Sequence, residues 1–437
     1  MTIVLPWLEL AHARDRMTSG TAPAGNRAAG VRSRQVRAQE KSEGIRQAAA
    51  RMISDHGLTG LTHRLVAQAA GVSLAATTYH YAGKAQIIRA ATAATFDSYD
   101  DSFDRALARF RAGTATRASF HAYFSALMRN TAGRSRERAI CWGEIMLYAA
   151  PDPVLLAGRQ AWLTKTLVTW EQMIAACGYD HPRQRAIVAV DVLIGLLLLV
   201  VGLGLSDRDT EKVVSGAVGI EAIRPSTPPR RAPPLATRDG AKAAATRARV
   251  LEATIDILTR DGAGAVTRAA VGARAGLTKA APFYHYPSIA DLLADAQQTL
   301  FQRAKERYRQ GLADAAGSDT DYERLVDRTA AVFLREATEF ASESVASYSI
   351  WLRADRQPSV REMVWDATCD QVRSWRNVLG RWGTAPVPVN PLLAQALFMG
   401  KLVRIVASGS RRDDLSQARQ EFDFGLRHVT AETWSTA

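Results

Sequence analysis

Small and apolar side chains recur at helical spacing in two well-separated stretches: Ile45, Ala48, Ala49, Met52 and Ile53, echoed by Val250, Ala253, Thr254, Ile257 and Leu258. Each pattern predicts a helix that buries one face. Both helices run to a glycine, in Asp55-His56-Gly57 and Arg260-Asp261-Gly262, where a residue without a Cβ closes a helix in the left-handed conformation. Thr62 and Thr267 stand where a hydroxyl caps a short second helix, predicted over Thr62–Ala70 and Thr267–Ala275 and ended by Gly71 and Gly276. A third short helix is expected over Leu74–Tyr81 and over Lys279–Tyr286. The expected fold class is all-α.

The echo extends along the whole chain. Tyr79-His80-Tyr81 returns as Tyr284-His285-Tyr286, an offset of 205 residues that holds without a gap. It carries Gly57 onto Gly262, Thr62 onto Thr267, Val66 onto Val271 and Gly71 onto Gly276, then Pro153 onto Pro358, Trp170 onto Trp375, Gly178 onto Gly383, Gly195 onto Gly400 and Gly204 onto Gly409. These anchors are rich in Gly, Pro and Trp, which special backbone angles or large packed volumes hold in place. Duplication of a whole unit is the expected origin. Prolines 225, 228, 229, 233 and 234 interrupt helical structure between the copies. The expected organisation is a flexible basic arm (1–41), a compact three-helix domain (42–90), a longer helical domain (91–222), a Pro-rich linker (223–245), a second compact three-helix domain (246–295) and a second longer helical domain (296–437).

Two short helices joined by a tight glycine-containing turn, behind a longer supporting helix, form a helix-turn-helix, whose later helix enters the major groove. The residues that build it resemble the TetR family of transcriptional repressors. In the first copy these are Gly57 to Thr62, Val66 to Ser73, Thr78 to Tyr81 and Lys84; in the second they are Thr267, Val271, Ala275 to Thr278, Phe283 to Ser288 and Ala290 to Leu293. The chain departs from the family pattern where Thr78 and Phe283 replace a tyrosine, with Tyr79 and Tyr284 adjacent, and where Ile289 replaces the lysine present as Lys84. The resemblance implies, in each copy, a three-helix DNA-binding domain followed by a helical ligand-binding and dimerisation domain. It further implies a double-stranded DNA operator and a small-molecule inducer, of unknown identity, that releases a repressor, with no cofactor, catalytic residue or metal site.

On the recognition helices, base readers and phosphate positioners need different chemistry. Ser73, Ala75, Ala76 and Thr77 in the first copy, and Thr278, Lys279, Ala280 and Ala281 in the second, are small or polar groups near the helix start. Small residues let the helix sit deep, and Lys279 is long enough for a guanine edge or a phosphate. The expected DNA-binding set adds the capping threonines Thr62 and Thr267, Thr78, Phe283, and the candidate phosphate contacts Tyr79, His80, Lys84, Tyr284 and His285. For His80 and His285 core packing is an equal alternative, and for Tyr81 and Tyr286 core packing is expected. Basic residues before each unit, Arg32, Arg34, Arg37 and Lys41, then Arg230, Arg231, Arg238, Lys242 and Arg247, read either as minor-groove or backbone contacts or as solvated charge. Tryptophans 142, 162, 170, 351, 365, 375 and 382 fit core positions, and no ligand-binding residue is named.

The expected assembly is a monomer acting as an intramolecular pseudo-dimer, reading an imperfect palindrome because the two readers differ, with higher assembly still open. The second reading is a ligand-sensing or protein-interaction module with weakened DNA binding.

Composition fits this picture. A chain of 437 residues exceeds what one core fills, and a formal charge of +13 favours a polyanionic partner. Cys141, Cys177 and Cys369 lie far apart with no metal spacing, the pattern of a reducing cytoplasm. No H-E-x-x-H, G-x-S-x-G or Walker P-loop is present, so an enzyme is not expected. The N-terminus lacks a basic region before its apolar stretch, unlike a signal peptide. Ile187–Leu205 is long and apolar enough to span a bilayer, but its counterpart Leu392–Ser410 carries Lys401 and Arg404 and reads as amphipathic. A buried helix packed on its duplicate, away from any membrane, is therefore expected.

Overall fold

The computed structural model describes residues 25–113, 115–148, 152–225, 240–278, 280, 282–313, 322–380 and 390–430. The chain divides into an N-terminal segment, Met1–Gly44, and a body, Ile45–Ala437. Every regular element among the described residues is helical. The first half holds α1 (Gly25–Gly60), α2 (His63–Ala70), α3 (Leu74–His80), α4 (Lys84–Ala112), α5 (Arg117–Ala132), α6 (Arg136–Met146), α7 (Pro153–Ala176), α8 (Pro182–Leu203) and α9 (Asp207–Val214). The second holds α10 (Ala241–Asp261), α11 (Arg268–Arg274), α12 (Pro282–His285), α13 (Ile289–Ala313), α14 (Tyr322–Thr338), α15 (Ala341–Trp351), α16 (Pro358–Leu379), α17 (Asn390–Ala407), α18 (Arg412–Ser416) and α19 (Ala418–Thr430). Helix starts at His63, Lys84, Arg117, Arg136 and Pro153 return at Arg268, Ile289, Tyr322, Ala341 and Pro358, each 205 residues on.

α1 begins upstream of its apolar pattern, so residues 25–41, expected as an arm, are helical instead. Ala, Arg, Gln and Glu favour helix whether or not an apolar face accompanies them. At the other end Gly57 (φ 71°, ψ 170°) and Gly262 (φ 78°, ψ 171°) break their helices in the same conformation, which an L side chain rarely adopts.

In the first half α4 and α7 pack through aromatic rings. Phe96 stacks on Trp162 at 4.8 Å, and Phe103 meets Trp170 edge-on at 5.6 Å. All three cysteines are free and buried.

α8 is buried from Val188 to Leu203 and crosses α17 at the duplicated glycines. A Cβ on Gly195 would stand 2.0 Å from the Ala396 carbonyl oxygen, and one on Gly400 would stand 1.7 Å from that of Asp191. Residue 396 is the counterpart of residue 191, so the two helices exchange the same contact. Only glycine permits backbones this close.

α17 differs from its expected amphipathic form, because its charged residues turn inward. Lys401 and Asp191 are fully buried and Arg404 nearly so. Asp191 accepts from Arg404 at 2.6 and 3.1 Å and pairs with Lys401 at 3.0 Å, while Glu421 of α19 accepts from Arg404 at 2.9 Å and also from Lys401. Burial alone would raise the Glu421 carboxyl, but Lys401 and Arg404 outweigh it and hold it below the usual carboxylate range. Two cations of α17 thus meet Asp191 across the interface and Glu421 from their own half.

Candidate nucleic-acid interface

In the first half α2 opens as the sequence predicts. The Thr62 hydroxyl accepts from Leu65 N at 3.2 Å, and Ser73 accepts from Ala76 N at 3.2 Å to open α3. Each cap satisfies a backbone donor that a helix start leaves orphaned. Both caps are exposed, as are Ala75 and Thr78. Leu74 is 52% exposed and Tyr79 86%.

Thr77 needs correcting. It was expected at the DNA face, but it is fully buried and its hydroxyl donates to the Leu74 carbonyl at 2.8 Å. It lies on the inner side of the short helix and fastens α3 to the core. His80 is half-buried beside Tyr79, with ring centroids 5.3 Å apart, and Tyr81 packs against the core. The Lys84 ammonium donates to the Thr59 carbonyl at 2.6 Å, stapling the start of α4 to the end of α1, and burial lowers its pKa.

The second unit is less complete. Thr267 caps α11 by accepting from Ala270 N at 3.2 Å. The third helix, expected over Lys279–Tyr286, is a single turn, Pro282–His285. Proline holds the residue before it away from helical angles and is at ease only at a helix's first position, so Pro282, standing where the first half has Thr77, starts the turn late. Thr278 and Tyr284 are exposed, His285 is half-buried, and Phe283 lies within the turn. Tyr286 is buried, as expected, donating to Asp295 at 2.6 Å and accepting from Arg247 at 3.3 Å. Arg247 also pairs with Asp295 at 3.0 Å, so this arginine is an internal tie rather than a groove contact. Lys279, Ala281, Arg230, Arg231, Arg238, Trp382 and Gly383 lie outside the described residues.

Sequence reasoning passed over Arg64, exposed near the start of α2. A basic residue in the first turn after a capping threonine was its available signal.

The two units meet. A Cβ on Gly264 would stand 2.9 Å from the His56 carbonyl oxygen and from the Thr59 hydroxyl. Arg353, just past α15, pairs with the largely covered Glu144 of α6 at 2.9 Å, and Arg356 pairs with Asp55 at 2.9 Å. Glu144 also accepts from the Leu58 backbone, and its burial raises its carboxyl above the usual range despite Arg353.

Residues 45–91, which hold this first unit, match the family of bacterial regulatory proteins called tetR, and residues 320–431 match the tetracyclin repressor-like C-terminal domain. The chain therefore contains one segment similar to the N-terminal domain and one similar to the C-terminal domain of TetR-type regulators. The HTH-type transcriptional regulator CymR of Pseudomonas putida is 26% identical over 121 residues, which are 28% of this chain and 57% of that protein. The chain thus spans little more than half the length of that relative. A transcriptional regulator from Rhodococcus sp. Rha1, known as a crystal structure, aligns with a TM-score of 0.37 and 19% identity over 42% of this chain and 95% of its own.

Proposed function

We propose that this chain is a sequence-specific DNA-binding repressor in which one polypeptide supplies both readers of an operator, with a small-molecule inducer releasing it. The observation that carries this reading is the reciprocal crossing of α8 and α17, where Gly195 meets Ala396 and Gly400 meets Asp191. Contacts exchanged in this way are the mark of a two-fold interface, normally made between identical subunits. The shared 205-residue register of helix starts supports it. Duplication of the whole unit, and pairing of the copies as an intramolecular pseudo-dimer, follow from this reading.

The DNA face is then α3 with its caps, Ser73, Ala75, Thr78, Tyr79, His80 and Thr62, joined by the weaker second face around Thr267, Thr278, Lys279, Ala281, Phe283, Tyr284 and His285. A seven-residue α3 beside a one-turn α12 favours an imperfect palindrome. Selection of bound sequences from a random DNA pool tests the reading: two unlike half-sites about 10 bp apart, or a multiple of that, are expected. Binding should weaken steeply with salt.

A second reading, a sensing module with little DNA affinity, draws on the short α12 and on Ile289 at the place of Lys84. No recovery of selected sequences even at low salt would favour it.

A further inference from the structure

The second half contains a cavity of about 190 Å³, bounded by α13 to α17 and walled by Phe301, Tyr348, Trp351, Trp375 and Phe398. Its counterpart in the first half is filled. Ala304, Thr329 and Ser347 line the cavity, and 205 residues earlier stand Tyr99, Phe124 and Trp142. Those three rings are buried, packed on Trp162 at 6.1 Å, on Trp170 at 6.3 Å and on Trp162 at 5.9 Å respectively. At this place the two halves therefore differ: three packed rings stand in the first where three small side chains line a cavity in the second.

The lining describes an occupant. An apolar cavity of about 150 Å³ holds benzene, so this one has room for one substituted ring or two fused ones. Its cations are already neutralised, Lys305 by Asp370 at 3.0 Å and Arg307 by Glu336 and Glu343 at 2.8 Å each. An anionic ligand would meet a lining with more carboxylates than cations. Gln371 lines the cavity, and its buried side-chain oxygen has no hydrogen-bond partner among the described residues, an acceptor awaiting a donor.

The cavity wall also leads across the molecule. Ser347, Tyr348 and Trp351 are on α15, and the next two residues belong to the contact with the first half. The Leu352 side chain lies where a Cβ on Gly143 would be, within 2.7 Å, and Arg353 pairs with Glu144, which holds the Leu58 backbone next to Gly57. From the cavity wall the route to the first DNA-binding unit runs along the chain to Arg353, over its ion pair with Glu144, and through the Glu144 hydrogen bond to the Leu58 backbone.

We infer that this cavity is the chain's effector site, that it takes one uncharged aromatic molecule carrying a hydrogen-bond donor, and that its occupancy acts across the halves on the first reader through Arg353. The inference rests on the reading of the chain as a DNA-binding regulator, but its site and stoichiometry are testable without DNA.

Calorimetric titration of the full chain with indole, a neutral fused ring with one N–H donor, should give one site per chain. Ser347→Trp, which installs the first half's residue, should abolish binding. Gln371→Leu, which leaves the cavity open, should weaken indole about three- to tenfold and leave indene, which has no donor, unchanged. Two sites per chain, no binding, or unaltered indole affinity in both variants would overturn the site. With labelled DNA from the selected pool, indole should lower affinity in the native chain. Arg353→Gln should keep indole binding and lose that response; a response that persists would overturn the route. A chain that takes up one indole but binds no DNA refutes the regulator and the trans action together, while the site stands.

Discussion

Replacing Asp191 by Asn keeps the shape of the side chain and removes its charge from the centre of the α8–α17 interface. In the native chain Asp191 and Glu421 balance Lys401 and Arg404, and Asp191 and Lys401 have no exposure at all. The variant leaves two buried cations against one carboxylate. Breaking a buried pair on one side costs about 3–5 kcal/mol, because the remaining charge is desolvated without compensation. Stabilities of about 5–15 kcal/mol make that a large fraction of the total. Urea unfolding followed by fluorescence of the buried Trp142 and Trp170 reads the loss as a shift in midpoint. Adding Lys401→Met restores the balance of one cation to one carboxylate, so the double variant should be more stable than the sum of the two single losses. A loss below about 1 kcal/mol for Asp191→Asn, or strict additivity in the double-mutant cycle, would refute this account of the interface.

Gly400→Ala should destabilise by more than the usual ~1–3 kcal/mol of overpacking, since its Cβ meets the Asp191 backbone carbonyl; Gly158→Ala, inside α7 with open space around it, should stabilise slightly, both read by the same urea unfolding. Tyr79→Ala should weaken DNA binding about three- to tenfold in fluorescence anisotropy, as the loss of one hydrogen bond does, and by more than Tyr284→Ala; equal or absent effects would remove Tyr79 from the interface. The Glu421 carboxyl is depressed below its ordinary value of 4.5, so the stability it contributes is fully present above that pH and disappears as pH falls through the folded value. Glu421→Gln should flatten that part of the acid-unfolding curve, and an unchanged acid slope would contradict the assignment.

Much of this was legible in one sequence because local rules governed it. Thr62 acts within a turn of itself, and its role follows from cap chemistry alone. The long register shift exposed the Gly195 and Gly400 pair, although not that they touch. What the sequence hid depends on neighbours far along the chain. Lys401 and Arg404 look solvent-seeking until Asp191, on another helix, is placed against them. Thr77 shares its helix with the exposed Ala75 and Thr78, and its inward direction depends on what α3 rests upon. The cavity is an absence, created by Ala304, Thr329 and Ser347 being small where three helices meet, and no periodicity marks an absence.

Joining α8 and α17 in one polypeptide changes the population behaviour of such a fold. Two separate subunits must find each other, so their active fraction falls on dilution and a defective copy spoils the sound ones it mixes with. Here the partners are produced together at a fixed one-to-one ratio and a constant effective concentration. On the proposed reading, occupancy of a DNA site rises in simple proportion at low dose, without the lag of a prior dimerisation. A damaged chain would disable only itself, leaving each half free to accumulate its own changes.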